Sequence, residues 1–170
     1  MLPALGRCLK QVDAQFELQT RGVFLSSVRL LVGLLVLLIA ASPALARDDK
    51  AMYAIDSALN SSVGQASLGD DIQFFFGKGN HPPVESTIGS YTSNKKTNGF
   101  NKSNSAACER AFISALISFR DRARNEGGNA VVNLSSYYRK NHISSPLEFE
   151  CGSGAVMSGV TLRGDVVILK

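Results

Sequence analysis

Motifs of the common catalytic and nucleotide-binding sites are missing from this 170-residue chain. It contains no G-x-S-x-G, H-E-x-x-H or C-x-x-C sequence, so the familiar hydrolase, metalloprotease and thiol redox patterns are absent. A Walker A phosphate loop is also missing, because Gly79 rather than Ser or Thr follows the Gly77-Lys78 pair. The position five residues before Gly77 holds Ile72 instead of glycine. The glycine-rich stretch GSGAVMSG opens no helix, so it predicts a close-packed strand rather than a phosphate cradle.

The chain also has little excess charge of either sign. Its formal net charge is +4, and the first 46 residues hold four basic and two acidic side chains, so the remainder carries only +2. Such a balance predicts no nucleic-acid partner. Two basic clusters are interpreted as solvated faces, because acidic residues interleave one and no aromatic stacking platform accompanies the other. The clusters are Arg120, Arg122 and Arg124, and Lys95, Lys96 and Lys102.

An uncharged apolar stretch, LLVGLLVLLIAASPALA at residues 30–46, precedes the polar sequence RDDK. The small residues Ala44 and Ala46 fit a signal-peptidase site. Residues 1–46 are therefore predicted to be a signal peptide that is cleaved between Ala46 and Arg47. Cleavage would leave a periplasmic or secreted protein without a membrane span.

The length of this amino-terminal segment leaves two points open. The apolar block proper, residues 30–41, is shorter than the roughly 20 residues of a membrane-spanning helix, and an uncleaved signal anchor is the alternative. The 29 residues before the block exceed the usual amino-terminal region of a signal peptide. We therefore expect translation to begin later, near Val23 or Val28.

Residues 47–170 are predicted to form one α+β domain, with one long helix packed on an antiparallel sheet of about four to five strands. The helix is the clearest element, because apolar residues recur at i, i+3 and i+4 spacing until the Gly127-Gly128 pair can cap its carboxyl end. Ser105 or Asn104 is the expected N-cap. The apolar stripe comprises Cys108, Ala111, Phe112, Ala115, Leu116, Phe119 and Ala123.

The other elements are predicted from alternation and composition. Strands are expected at DIQFFFG, at residues 87–93, at NAVVNLSSYY and through LEFECGSGAVMSGVTLRGDVVILK, and a short helix is expected before Gly69. The polar stretch after Ser93 holds the turn dipeptide Asn98-Gly99 and is predicted to be a mobile loop. Three sets of strand residues are expected to share a face: Ala130, Val132 and Leu134; the apolar-face residues Leu147, Phe149, Cys151, Ser153, Ala155 and Met157; and the solvent-facing Glu148 and Glu150.

Cysteine placement predicts one disulfide bond. Cys108 lies on the apolar stripe of the helix and Cys151 on the apolar face of a strand, so packing the helix on the sheet can bring them together. An exported chain with two mature cysteines has only this intramolecular pairing. Two buried free thiols are the alternative.

Two chemical alternatives use the same thiols. Cys108, Cys151, His81 and His142 together would suit tetrahedral zinc, although no local chelating pair such as C-x₂-C or H-x₃-H is present. A thiol nucleophile with a histidine base is the other alternative, and the apolar surroundings of both cysteines disfavour it. The residues themselves therefore predict no metal or other cofactor and no catalytic residue.

The stretches ACERAFISALISFRDRARNEGGNAVVNLSSYYRKN and FECGSGAVMSGVTLRGDVVILK resemble a family of small exported proteobacterial proteins. Many of its members carry the transferred name excinuclease ATPase subunit, or a name that refers to the ATPase component of excinuclease ABC. Such a name implies Walker motifs and zinc modules, which this sequence does not have. More distantly, the helix followed by GGNAVVNL is similar to heavy-metal-binding-like domains and to the sensor lipoprotein of an envelope-stress phosphorelay. Both similarities imply an antiparallel sheet with a packed helix, and neither transfers a ligand residue.

Together these features predict an exported module of the cell envelope with a non-enzymatic binding or structural role. Its expected partner is an envelope protein or a small ligand. A metal-binding or thiol-dependent enzyme that uses Cys and His is the alternative function. Nothing in the sequence specifies the ligand or the oligomeric state.

The first testable prediction concerns the processing site. The exported protein should begin at Arg47, because small residues precede that position and the polarity changes abruptly after it. Intact-mass measurement of the exported protein should show loss of everything through Ala46. A full-length species retained in the membrane would contradict cleavage.

Overall fold

The longest strand pairing of the sheet joins two segments that are far apart in the sequence. In the computed structural model, which describes residues 49–170, Val84 to Asn98 run antiparallel to Leu169 to Met157. The predicted signal peptide and its cleavage site at Ala46 and Arg47 lie outside the described residues. In chain order the elements are β1 (Asp49–Ala54), α1 (Ile55–Asn60), α2 (Ser62–Ser67), β2 (Gln73–Phe76), β3 (Val84–Asn98), α3 (Asn104–Glu126), β4 (Ala130–Ser136), a 3₁₀ turn (Tyr138–Lys140), β5 (Glu148–Ser153) and β6 (Met157–Leu169).

Strand β6 is the centre of a six-stranded sheet. One of its edges pairs with β3, and its other edge pairs with β5 near its start and with β4 towards its end. β1 lies outside β5, and β2 lies outside β4. Helix α3 packs on one face of this sheet, as expected for an α+β fold, and within residues 49–170 no helix is long and apolar enough to cross a membrane.

The sheet is mixed, so the expectation of a purely antiparallel sheet was wrong. β2 pairs with β4 in parallel, whereas the other pairings are antiparallel. A parallel pair needs a crossover connection of a dozen or more residues, and the segment with β3 and α3 provides one here. The aromatic run Phe74–Phe76 predicted a strand but carried no information about its direction.

Helix α3 forms for the reasons that the sequence indicated. All seven residues of the predicted apolar stripe are buried, and Gly127 ends the helix in the left-handed conformation with a φ of 77°. The N-cap is Ser103, whose hydroxyl accepts a hydrogen bond from the Ala106 amide at 3.2 Å. The cap therefore lies one or two residues before the predicted Asn104 or Ser105.

A bulge in β4 overturns the predicted alternation of that strand. Asn133 has a φ of 54°, and the register with β6 shifts between Val132 and Ser135. As a result Leu134 joins Val131 in the core beneath α3, whereas Ala130 and Val132 pack in a smaller cluster apart from that core. A strict period of two cannot anticipate this extra residue.

Strand β3 continues through the segment that was predicted to be a mobile loop. It has 15 residues and includes Lys95 and Lys96, and only the turn after Asn98 interrupts the chain before α3. Pairing with β6 satisfies the backbone hydrogen bonds of β3, so its polar composition does not prevent strand formation.

Near the amino-terminal end of the described chain, the predicted short helix is divided into α1 and α2, because Ser61 is extended and caps α2. Strand β1 was not predicted.

Cys108 and Cys151 join α3 to β5. The Sγ atoms of Cys108 and Cys151 lie 2.09 Å apart, at disulfide distance, and their Cα atoms are 5.9 Å apart, within the usual range. Both residues are completely buried in the core. Beside them Phe112 of the helix stacks on Phe149 of β5 with ring centroids 4.1 Å apart. The expected helix-to-sheet contact at this position is therefore present.

The second prediction follows from this contact. Replacing both cysteines, Cys108→Ala with Cys151→Ala, should lower the free energy of unfolding by about 2–5 kcal/mol, because the bond closes a long loop of the unfolded chain. Chemical denaturation with and without reductant measures this difference. Two alkylatable thiols in the folded, exported protein would contradict an oxidised pair.

Candidate functional site

A cleft of about 400 Å³ lies between α3 and β3. One of its walls is the inward-facing side of β3, and the other is the carboxyl-terminal half of α3. Most of its lining groups are polar, which distinguishes it from the apolar core nearby. The residues that line it are Tyr91, Thr92, Ser93, Asn94, Lys95, Ser118, Phe119 and Arg122.

Strand alternation turns Tyr91, Ser93 and Lys95 towards the helix. Ser93 is the most deeply placed of the three, with 8% of its surface exposed, and it pairs across the sheet with the core residue Leu162. Its hydroxyl oxygen has no hydrogen-bond partner. Among the buried side-chain oxygen and nitrogen atoms of residues 49–170, the only other one without a partner is one oxygen of Glu150. A hydroxyl buried in this way costs about 1–3 kcal/mol relative to one that is hydrogen-bonded.

The helical wall presents Ser118 and Arg122, which are four residues apart and therefore on one face. The Arg122 guanidinium lies 4.7 Å from the centroid of the Tyr91 ring, at the distance of a cation–π contact. Its Nη1 also donates to Oε1 of Glu126 at 3.0 Å. Tyr91 and Glu126 therefore hold the guanidinium beside the cleft.

A short hydrogen bond connects the two walls. The Tyr91 hydroxyl donates to Oε2 of Glu126 at 2.5 Å. This bond raises the pKa of Tyr91 above its ordinary 10.0. It also lowers the pKa of Glu126 below its ordinary 4.5, and Arg122 adds to that lowering. At neutral pH Tyr91 is therefore neutral, and Glu126 is a carboxylate that already has two partners.

The charge balance of the cleft is positive. Lys95 has no ion-pair or hydrogen-bond partner within residues 49–170, and Arg122 uses one of its N–H groups for Glu126. Two cations thus face one anion whose oxygens are already hydrogen-bonded. The arrangement can accept an anionic group beside Arg122 and Lys95, and it offers the Ser93 hydroxyl as a donor, whereas the Ser118 hydroxyl already donates to the Ser114 carbonyl.

The residues proposed for zinc or thiol chemistry are not brought together. His81 lies edge-on to Phe75 with ring centroids 5.7 Å apart. The neighbour of Cys108, apart from the sulfur of Cys151, is the Ser153 hydroxyl at 3.3 Å. In the described part of the chain, no group of three or more His, Cys, Asp or Glu residues could hold a metal ion. The Cys108, Cys151, His81 and His142 set does not form a site there.

His142 instead contacts a serine that sequence reasoning did not single out. Its Nε2 lies 2.9 Å from the Ser135 hydroxyl, a distance typical of a nucleophile and its base. The same hydroxyl lies 3.3 Å from the Arg163 carbonyl oxygen, and Ser135 is only 5% exposed. Because the hydroxyl donates its proton to this backbone carbonyl and not to the His142 ring, the pair is interpreted as a tie between β4 and the following loop.

The paired carboxylates of β5 differ in environment, contrary to the expectation that both face solvent. Glu148 is exposed, but Glu150 is only 5% exposed, and its Oε2 has no hydrogen-bond partner. The chain segment after β4 accounts for this burial, because Tyr138 packs directly over Gly152 on the same strand. Leu147, Ala155 and Met157 were expected on the apolar face, but all three are exposed. Leu147 precedes β5, Ala155 lies in the turn between β5 and β6, and Met157 is the first residue of β6.

Sequence reasoning missed the cleft because the strand predicted at residues 87–93 was not paired with the helix, and Asn94 and Lys95 were assigned to a loop. The signal was present in the alternation of Tyr91, Ser93 and Lys95, and in the four-residue spacing of Ser118 and Arg122. Only the pairing of β3 with β6 shows that these two patterns face each other.

Comparison with known proteins adds no further constraint. No protein-family model matches the chain, and no curated protein or solved structure matches it significantly. The family resemblance of the sequence therefore stays a prediction, and only the geometry of the cleft supports the candidate site.

The third prediction tests the unpartnered hydroxyl. Ser93→Ala should leave the free energy of unfolding unchanged or raise it by about 1 kcal/mol, because it removes a buried polar atom without a partner. Ser136→Ala is the matched control, since the buried Ser136 hydroxyl accepts the Glu150 amide at 2.8 Å. The control should lose about 1–3 kcal/mol. Urea unfolding measures both, and an equal loss in the two variants would show that Ser93 is hydrogen-bonded in solution.

Proposed function

We propose that this protein is an exported, non-enzymatic binding module of the cell envelope, and that its ligand is a small polar molecule with an acidic group held in the α3–β3 cleft. Export is supported by the apolar segment at residues 30–46 and by the pairing of the two mature cysteines. Binding is supported by the geometry of the cleft.

The observation that carries the proposal is the Ser93 hydroxyl. Buried hydroxyls are hydrogen-bonded in most proteins, and an exception needs an explanation. Ser93 lies in the lining of a cleft of about 400 Å³, a size suited to a small molecule. A ligand that hydrogen-bonds to Ser93 would remove the cost of burying this group, and that gain would contribute to its affinity.

An acidic ligand is favoured by the two cations. Arg122 is oriented by Tyr91 and Glu126, so little conformational freedom is lost when it binds an anion. Lys95 stands on the opposite wall as a second positive charge. Carboxylate and phosphate groups share this chemistry, and both accept the parallel hydrogen bonds that a guanidinium donates.

Catalysis is not part of the proposal, because the groups that could perform it lie elsewhere. The two sulfurs are paired with each other and buried, and the Ser135 hydroxyl near His142 donates its proton to the Arg163 carbonyl. The cleft itself offers no histidine and no free carboxylate as a general base, since both oxygens of Glu126 have partners.

The fourth prediction is a binding experiment. Succinate and inorganic phosphate serve as probes, and two-dimensional NMR of the protein isolated from the producing cell reports the amides of Ser93 and Arg122. We expect at least one probe to shift these amides. Arg122→Gln should then weaken its binding about tenfold or more, because a hydrogen bond to a charged group is lost.

Arg124→Gln is the matched control for this experiment. Arg124 lies on the same helix and pairs with Asp71 at 2.6 Å, and it does not line the cleft. Its variant should bind the probe like the unchanged protein. Equal losses in both variants, or no shift at Ser93 with either probe, would contradict the proposed site. Turnover of an ester analogue that Arg122→Gln abolishes would contradict the non-enzymatic role.

A further inference from the structure

Three large apolar side chains are exposed at one end of the sheet. Phe100 is 63% exposed, Val156 is 54% exposed and Met157 is 46% exposed. Phe100 lies in the turn between β3 and α3, and the other two lie at the turn between β5 and β6. Single exposed apolar residues are common on protein surfaces, but neighbouring ones on two adjacent turns mark an interaction site.

Hydrogen bonds hold the two turns beside each other. The Gly99 amide donates to the Val156 carbonyl at 2.7 Å, and Asn98 is the strand partner of Met157. The Phe100 amide donates to the Asn98 side chain at 2.8 Å, which fixes the turn. We call residues 99–102 together with residues 154–157 the tip. Its apolar side chains project from an ordered frame.

Positive charge surrounds the tip. Lys102 donates from Nζ to the Asn98 carbonyl at 3.1 Å, and Lys96 is the strand partner of Gly159. Helix α3 begins beside the tip at its cap, Ser103, so the positive end of the helix dipole adds to the field. Residues 94–108 and 150–162 contain one carboxylate between them, Glu150, and it is buried.

Lys96 and Lys102 form no ion pair with an acidic residue among residues 49–170. Glu109, on the second turn of α3, accepts hydrogen bonds from the Ser57 and Ser105 hydroxyls. Asp49, the one acidic residue of β1, lies opposite Ser153 in the sheet. Lys96 and Lys102 therefore remain available to an anionic partner.

We propose that the tip docks the protein on a membrane surface that contains anionic lipid. In this arrangement Phe100, Val156 and Met157 enter the boundary between headgroups and acyl chains. Lys96 and Lys102 stay at the level of the lipid phosphates, where each basic residue favours an anionic surface. The cleft plays no part in this contact, so the inference is independent of the proposed ligand.

One observation favours a membrane over a nucleic acid. Bases bind single-stranded sites through stacking on aromatic faces, and two of the three exposed residues, Val156 and Met157, have none. Aliphatic side chains such as these instead suit the boundary between lipid headgroups and acyl chains.

The absence of tryptophan from the natural sequence allows a direct test. Phe100→Trp introduces a single reporter at the tip of the exported protein. Its emission should shift to shorter wavelength with phosphatidylglycerol-containing vesicles and much less with pure phosphatidylcholine vesicles. Brominated lipid should quench it. Adding Lys96→Gln or Lys102→Gln should each weaken this partition about fivefold.

Leu147→Trp is the control reporter, because Leu147 is 70% exposed but lies at the opposite end of β5 from the tip. Its emission should not respond to either vesicle. Equal responses from the two reporters, or a Phe100→Trp response that is the same for both lipids, would overturn the proposal. So would a response to oligonucleotides without a response to vesicles.

Discussion

The register between β3 and β6 determines the positions of both candidate sites. With Ser93 opposite Leu162 and Asn98 opposite Met157, the inward residues of β3 face α3, and the two turns of the tip meet. A slip of one residue would exchange the faces of β3 and turn Ser93 towards solvent. Ile88 and Tyr91 of β3 pack against the core, and such a slip would turn them towards solvent. These contacts therefore help to fix the register of a strand that is otherwise mostly polar.

Much of the scaffold could be predicted from the sequence, because its signals are local. The stripe and the terminal glycine of α3 depend on residues within one element, and so does the facing of Cys108 towards the sheet. The candidate cleft could not be predicted, because the strand expected at residues 87–93 gave no sign of facing α3, and its polar continuation through Asn94 and Lys95 has little strand signal of its own. Its strand state comes from β6, which lies more than sixty residues further along the chain.

Two other differences have local causes that a residue pattern does not reveal. The left-handed conformation of Asn133 inserts one residue into β4 and moves Leu134 to the helix side of the sheet. Glu150 lies between the core residues Phe149 and Cys151, so strict alternation would place its carboxylate in solvent. The segment after β4 nevertheless folds over that part of the sheet and buries Glu150. In both cases a period of two predicts the facing of side chains correctly only for a regular, uncovered strand. A bulge changes which residues face the core, and a covering loop changes which of them are exposed to solvent.

The tip and the cleft lie near opposite ends of α3, so different contacts stabilise the two regions. The tip lies at the start of α3, where Cys108 attaches the helix to β5, so the apolar side chains there project from a braced frame. The cleft lies near the other end of the helix, where Tyr91, Arg122 and Glu126 connect the walls through exposed and partly exposed contacts. Loss of the Cys108–Cys151 bond would loosen the first region more than the second. The proposed surface contact at the tip and the proposed ligand in the cleft can therefore bind independently. Strand β3 connects the two regions, because it lines the cleft and leads into the tip.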